Sequence, residues 1–270
     1  MQATILSLAA IALYLSATWR VAAPAWRGVS EPLARRHPGL LLGAAAILCH
    51  GVYLYFSLYT GSGINLGVFN AASLVAWLVV GLMLAMAVGN SLEHLAMLML
   101  PLAALSLVAE QLFTSHRIIP EHAPMGLQAH ILLSVLAYSL LTIGAILALA
   151  LAFEHRQLHK HKPVWALRVL PPMQALESLL FHILTIGFFF LSLSLISGLM
   201  FLENIFAQHL LHKTVLSIAA WVVFGVLLLG RWHFGWRGRT AIRWTLWGFV
   251  ILLLAYFGTK VVLELILKRV

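Results

Sequence analysis

The chain contains very little charge of either sign. Only 9% of its 270 residues are charged, none of them is an aspartate, and 62% are hydrophobic. A soluble domain carries about 25% charged residues. Because so apolar a chain could not cover its surface with polar groups in water, the composition excludes an ordinary soluble domain and indicates a protein that is covered by lipid.

Cysteine and the common catalytic motifs are also scarce. The chain has one cysteine, Cys49, so it can form no internal disulfide and has no C-x-x-C pair for redox chemistry or haem attachment. It has no G-x-S-x-G, H-E-x-x-H or P-loop motif, and no paired carboxylates at catalytic spacing. We therefore expect a protein that is not an enzyme.

Apolar runs dominate what is present, and a run of about 20 apolar residues can cross a membrane as a helix. The predicted spans are 2–22, 39–60, 67–89, 92–112, 126–153, 177–203, 212–232 and 241–267. Proline falls in the gaps at positions 24, 38, 120, 124, 171 and 172, and inside the fourth span at position 101. The sequence predicts an all-α polytopic membrane helix bundle of about eight helices, forming a single integral membrane domain over residues 1–270.

The first apolar run resembles a signal peptide in length but not in charge. Arg20 follows the run instead of preceding it, and no A-x-A-like cleavage site is clear. We interpret residues 2–22 as the first membrane helix.

The net charge of +9 comes from basic residues in short loops. Twelve of the 17 Lys and Arg residues fall on one predicted side of the membrane, in the linkers after spans 1, 5 and 7, and five fall on the other. The positive-inside rule explains this pattern without nucleic acid and puts the twelve in the cytoplasm. Both termini are then predicted to be periplasmic, in a bacterial inner membrane.

Histidine is abundant, with thirteen residues. His50, His130 and His182 lie within predicted spans, and His212 lies at the outer edge of another, where it could meet His130. Ionisable residues in membrane helices usually face the interior and often mark function. The candidate role is ligation of haem iron by neutral imidazole. The alternative is a neutral histidine that donates a hydrogen bond to a neighbouring helix.

Each of the three span histidines has polar neighbours at helical spacing. His130 is followed by Ser134 and Tyr138, His50 by Tyr53 and Ser57, and His182 lies between Ser178 and Thr185. Since polar groups avoid lipid, these three stripes predict a shared interior.

The segment EHRQLHKHK (154–162) is a second histidine cluster, in a predicted cytoplasmic loop. His155 and His159 are four residues apart, so with His161 they could bind a metal. The alternative is a solvated rim that faces the lipid headgroups.

Several runs resemble the cytochrome c assembly (CcsA/CcmC-like) family. They are QAHILLSVLAYSLLTIGAILALALAF (128–153), LESLLFHILTIGFFFLSLSLISGLMF (176–201), and HKTVLSIAAWVVFGVLLLGRWHFGWRGRTA (212–241) with GFVILLLAYFG (248–258). The match is best over residues 67–270. The pairs Cys49-His50 and Phe181-His182 resemble the YpjD/HemX-like branch.

The resemblance implies a haem-binding or haem-handling inner membrane protein that supports cytochrome c assembly or haem metabolism. It implies haem b as cofactor and His130 as an outer axial ligand, with His182, His50 and His212 as further candidates. The partners would be haem, the lipid bilayer and other assembly proteins. The alternatives are a structural or regulatory membrane subunit without haem, and a transporter for a metal or small solute.

Two features depart from the family. Members that deliver haem carry an outer loop rich in Trp and containing Asp, whereas the corresponding segment LENIFAQHLLHK (202–213) has neither. The family's second outer histidine, after the last helix, also has no counterpart, since the chain ends ELILKRV. His212 or His209 is the available substitute.

The charge pattern makes a topology prediction. Reporter fusions after residues 30, 160 and 238 should all give a cytoplasmic signal, because the basic linkers resist translocation. A periplasmic signal at any one of them would contradict the eight-span topology.

Overall fold

The computed structural model describes residues 2–26, 33–61, 63–87, 95–113, 115, 117–159, 172–201 and 208–258. The helices are α1 (Gln2–Trp26), α2 (Leu33–Leu58), α3 (Val68–Ala87), α4 (Ala96–Leu112), α5 (Met125–His159), α6 (Met173–Phe201), α7 (Gln208–Phe234) and α8 (Gly238–Leu253), which continues into a π-helical turn (Leu254–Gly258). The strands are β1 (Tyr59–Thr60), β2 (Gly63–Asn65) and β3 (Ile118–Pro120).

The helices confirm the predicted polytopic bundle. Seven of them are long and apolar enough to cross a membrane, and α4 is a shorter apolar helix of 17 residues. Helix α5 continues to His159, six residues beyond the predicted end at 153. The periplasmic location of both termini stays a prediction.

Two prolines that were predicted to lie in gaps lie inside helices. Pro24 falls in the last turn of α1, and Pro38 is the sixth residue of α2. Proline removes one backbone donor and crowds the preceding turn. Close to a helix end that loss affects few bonds, so these two prolines do not end the helices.

The chain divides into two compact units. The first comprises residues 1–121 with 157–172, and the second comprises residues 122–156 with 173–270. The single domain expected from the sequence stays a prediction.

In the first unit, α1 packs against α2 and α4, and α3 packs against α2 and α4. A three-stranded antiparallel sheet of order β1-β2-β3 lies where α2 and α4 end and α3 begins. Asn65 secures it: its Oδ1 accepts the backbone N–H groups of Gly67 at 3.1 Å and Arg117 at 2.9 Å. Its Nδ2 donates to the Ser115 carbonyl at 3.2 Å. This buried asparagine joins two loops that are distant in sequence.

In the second unit, α6 packs against α7, and α7 packs against α8 and the π-helical turn. Helix α5 meets α6 through two glycines: a Cβ on Gly144 would lie 2.9 Å from the Leu184 side chain, and one on Gly187 would lie 2.9 Å from that of Leu141. Small residues of this kind let membrane helices approach closely. The contact places the polar residues of α5 and α6 within hydrogen-bonding distance.

A carboxylate holds the turn between α7 and α8. Glu177, near the start of α6, accepts from the Arg231 guanidinium at 3.0 Å and from the Gly238 backbone N–H at 3.4 Å. Gly235 and Gly238 have positive φ angles of 64° and 53°, which favour glycine. The Gly-Trp-x-Gly sequence therefore forms a tight turn that is tied to a third helix.

The loop next to Asn65 gives a stability prediction. A Cβ on Gly67 would collide with the hydroxyl and carbonyl oxygens of Ser115, whereas a Cβ on Gly81 in α3 meets nothing within 4 Å. Gly67→Ala should lower the free energy of unfolding by about 1–3 kcal/mol through overpacking. Gly81→Ala should leave it unchanged or raise it slightly. Thermal unfolding in detergent measures both, and equal effects would contradict the Asn65 loop structure.

Candidate functional site: a histidine cluster between two helices

His130 lies in the second turn of α5 and faces α6. Its Nδ1 is 2.9 Å from the Ser194 carbonyl oxygen and 3.1 Å from the Ser197 hydroxyl. Both serines are buried, and His130 itself is partly buried. The imidazole is thus fixed at one nitrogen by a neighbouring helix.

The partner of Nδ1 decides which nitrogen carries the hydrogen. A carbonyl oxygen can only accept, so Nδ1 donates its hydrogen to Ser194. In the neutral imidazole the lone pair is then on Nε2. Among the described residues no hydrogen bond reaches that nitrogen. This is the arrangement in which histidine serves as a metal ligand, with the second ring nitrogen oriented by an acceptor.

Serines complete the cluster. Ser134 donates to the His130 carbonyl at 2.7 Å, and its oxygen lies 2.7 Å from the Ser194 hydroxyl. Ser197 donates to the Ser194 carbonyl at 2.8 Å. The predicted pairing of His130 with Ser134 on one face of α5 is confirmed. Ser194 and Ser197 were missed, although their three-residue spacing in the run SLSLISG is a helical signal.

Tyr138 continues the polar face of α5. Its hydroxyl donates to the Leu252 carbonyl at 2.5 Å, and its ring lies 5.5 Å from that of Tyr256, centroid to centroid. Lys213, near the start of α7, lies 5.9 Å from the Tyr256 ring centroid. The end of the second unit that holds His130 therefore also carries two tyrosines and a basic side chain.

His50 is arranged differently. It is 0% exposed, and its Nδ1 and Nε2 lie 3.0 Å from the hydroxyls of Tyr14 and Ser73. Because both ring nitrogens are engaged, His50 could ligate iron only after one of these bonds breaks. The geometry matches the hydrogen-bonding alternative, and it links α1, α2 and α3.

The polar stripe on α6 does not face an interior, so that expectation was wrong. Ser178, His182 and Thr185 are all exposed. The buried face of α6 runs through Leu176, Leu180, Leu184, Gly187, Leu191 and Ser194. His182 lies two residues from Leu180 and Leu184, which puts it about 200° around the helix from each of them.

Other candidates fall outside the described residues. The side chains of His209, His212 and His159 are not described, and neither is His161, so pairing of His130 with His212 and the loop metal cluster stay predictions. Within the described part of the chain, no three His, Cys, Asp or Glu side chains come together as metal ligands.

The family model of the cytochrome c assembly protein matches residues 39–267. The inner membrane protein YpjD of Escherichia coli strain K12 is 36% identical over 233 residues, which cover 86% of this chain and 88% of that protein. The cytochrome c biogenesis protein CcsA of Chlamydomonas reinhardtii is 24% identical over 178 residues, 65% of this chain and 49% of that protein. No solved structure matches the chain.

These matches agree with the membrane spans of the structure. Seven apolar helices make the chain a multi-pass membrane protein, and its likeness to YpjD places it in the inner membrane. The chain therefore belongs to the cytochrome c assembly protein family, and this membership supports a role in cytochrome c biogenesis.

Proposed function

We propose that this protein binds haem through His130 and handles it in support of cytochrome c assembly or haem metabolism. The observation that carries the proposal is the bond from the His130 Nδ1 to the Ser194 carbonyl. It orients the ring and leaves the Nε2 lone pair available for iron. Haem b is the form proposed, because Cys49 alone cannot supply the paired thiols of covalent attachment.

The number of ligands favours haem over a bare metal ion. A metal held by protein alone needs three or four ligands, and the described residues bring no such set together. A porphyrin supplies four nitrogens to its own iron, so one or two imidazoles complete the site. A single oriented histidine is therefore sufficient for haem.

Other groups at this end of the second unit suit the rest of the cofactor. Tyr138 and Tyr256 offer aromatic surface, and Lys213 is a cation that could pair with a propionate. His212, one residue before Lys213, is the candidate second ligand. The chain's own residues would bind and orient haem, and no covalent step is implied.

We infer binding or transfer of haem and not its presentation to an apocytochrome. The segment LENIFAQHLLHK (202–213) lacks the Trp and Asp residues of the family's haem-presenting loop. The second candidate function is a structural or regulatory subunit without haem. The hydrogen-bonded His50 favours it, because that histidine behaves as a link between helices.

A spectral comparison tests the proposal. Protein purified in detergent, with hemin added, should show a Soret band, and His130→Ala should lose it or shift it to a high-spin form. His122→Ala is the matched control, because it removes an exposed histidine of the same unit and should keep the band. If no Soret band forms, or if His130→Ala matches the parent spectrum, the haem proposal is wrong and the structural function stands.

Replacement of His50 should lower stability and leave the haem spectrum unchanged, in contrast to replacement of His130. His50→Ala leaves the hydroxyls of Tyr14 and Ser73 without their partner in a fully buried site, which should cost about 1–3 kcal/mol of stability. The Soret band should be unchanged. His182→Ala is the control on an exposed face and should alter neither property. A changed spectrum in either variant would instead indicate a second haem site.

A further inference from the structure

A buried polar cluster lies near the sheet of the first unit, at the end of the α2 stripe that begins with His50. Glu110, in the last turn of α4, is 7% exposed. The Ser57 hydroxyl, at the end of α2, donates to its Oε1 at 2.5 Å. Asn70, in the first turn of α3, donates to the Ser57 oxygen at 3.1 Å. The donors therefore form a chain that ends on one carboxyl oxygen.

Gln111, the residue after Glu110, connects α4 to α1, the fourth helix of the unit. Gln111 donates through its Nε2 to the Ser7 hydroxyl of α1 at 2.7 Å and to the Tyr53 hydroxyl of α2 at 3.3 Å. All four helices of the unit thus contribute to one polar network inside an apolar bundle.

The network is incomplete at one atom. Glu110 Oε2 is fully buried and has no hydrogen-bond partner among the described residues. Glu110 forms no ion pair with any residue that the structure describes. A buried carboxylate without a counter-charge costs several kcal/mol. The Tyr53 hydroxyl lies beside the same carboxyl group, and Oε2 can accept a further partner.

The surroundings suit a cation. Helices α2 and α4 both end at the cluster, and helix C-termini present carbonyl oxygens and partial negative charge. Carboxylate, hydroxyl and carbonyl oxygens are the ligands of hard cations such as sodium. One carboxylate balances one positive charge.

We propose that Glu110 anchors a buried site for a monovalent cation of the sodium class, with Ser57 and Tyr53 as further oxygen ligands. The site is independent of haem, because it lies within the first unit and shares no residue with the His130 cluster. Its role is to complete the polar network where three helices meet the sheet.

Thermal unfolding of the full chain in detergent tests the site. Sodium chloride is compared with choline chloride at equal ionic strength, so that general screening is the same in both. Sodium should raise the unfolding temperature in a saturable way, because a ligand that binds only the folded state stabilises it. Glu110→Gln should abolish this difference. Glu121→Gln removes an exposed carboxylate from the same unit and should keep it.

Ser57→Ala provides a second variant if Glu110→Gln does not fold. It removes one neutral ligand and should raise the half-saturating sodium concentration several-fold while the response persists. Equal unfolding temperatures in sodium and choline would overturn the proposal and leave a proton or a buried water as the partner of Oε2. An equal loss of the response in Glu121→Gln would overturn it as well.

Discussion

Lipid offers no hydrogen bonds, so a polar side chain within a membrane span is stabilised when it finds a partner on a neighbouring helix. The contact between α5 and α6 depends on this constraint. Gly144 and Gly187 bring the two helices together, and His130 and Ser194 then satisfy each other across the contact. Because the carbonyl of Ser194 accepts only, the same bond also selects the tautomer of the imidazole. The packing of the two helices and the orientation of the imidazole therefore have one cause.

The same constraint distinguishes a structural polar group from a candidate binding group. His50 is fully buried and both of its ring nitrogens are hydrogen-bonded, so it links helices and has no nitrogen available for a ligand. His130 has one nitrogen engaged, and Glu110 has one oxygen engaged. A buried group with one atom fixed and another unpartnered is oriented and still able to bind.

The sequence predicts the helices well because a membrane span is recognised from the length and apolar composition of a segment alone. It predicts which face is buried less well, as α6 illustrates: His182 marks a polar stripe, yet the helix buries the face that carries Gly187 and Ser194. Helix α6 carries apolar residues on every face, so the periodicity of its sequence does not show which face is buried. The sheet was missed because strands of two or three residues have no detectable alternation. Asn65 organises that sheet through bonds to residues about 50 positions away, which no local pattern reveals.

Holding haem and presenting it make different demands on a protein of this family. Holding requires an oriented imidazole, which the α5–α6 contact supplies through Ser194. Presentation would require, in addition, a surface that engages both the cofactor edge and a second protein, and the segment 202–213 contains neither Trp nor Asp. The two demands involve different parts of the chain, so one can be retained while the other is lost. Under the proposed haem function, a chain that has His130 and lacks the Trp and Asp residues of that loop would hold haem within the membrane domain without presenting it.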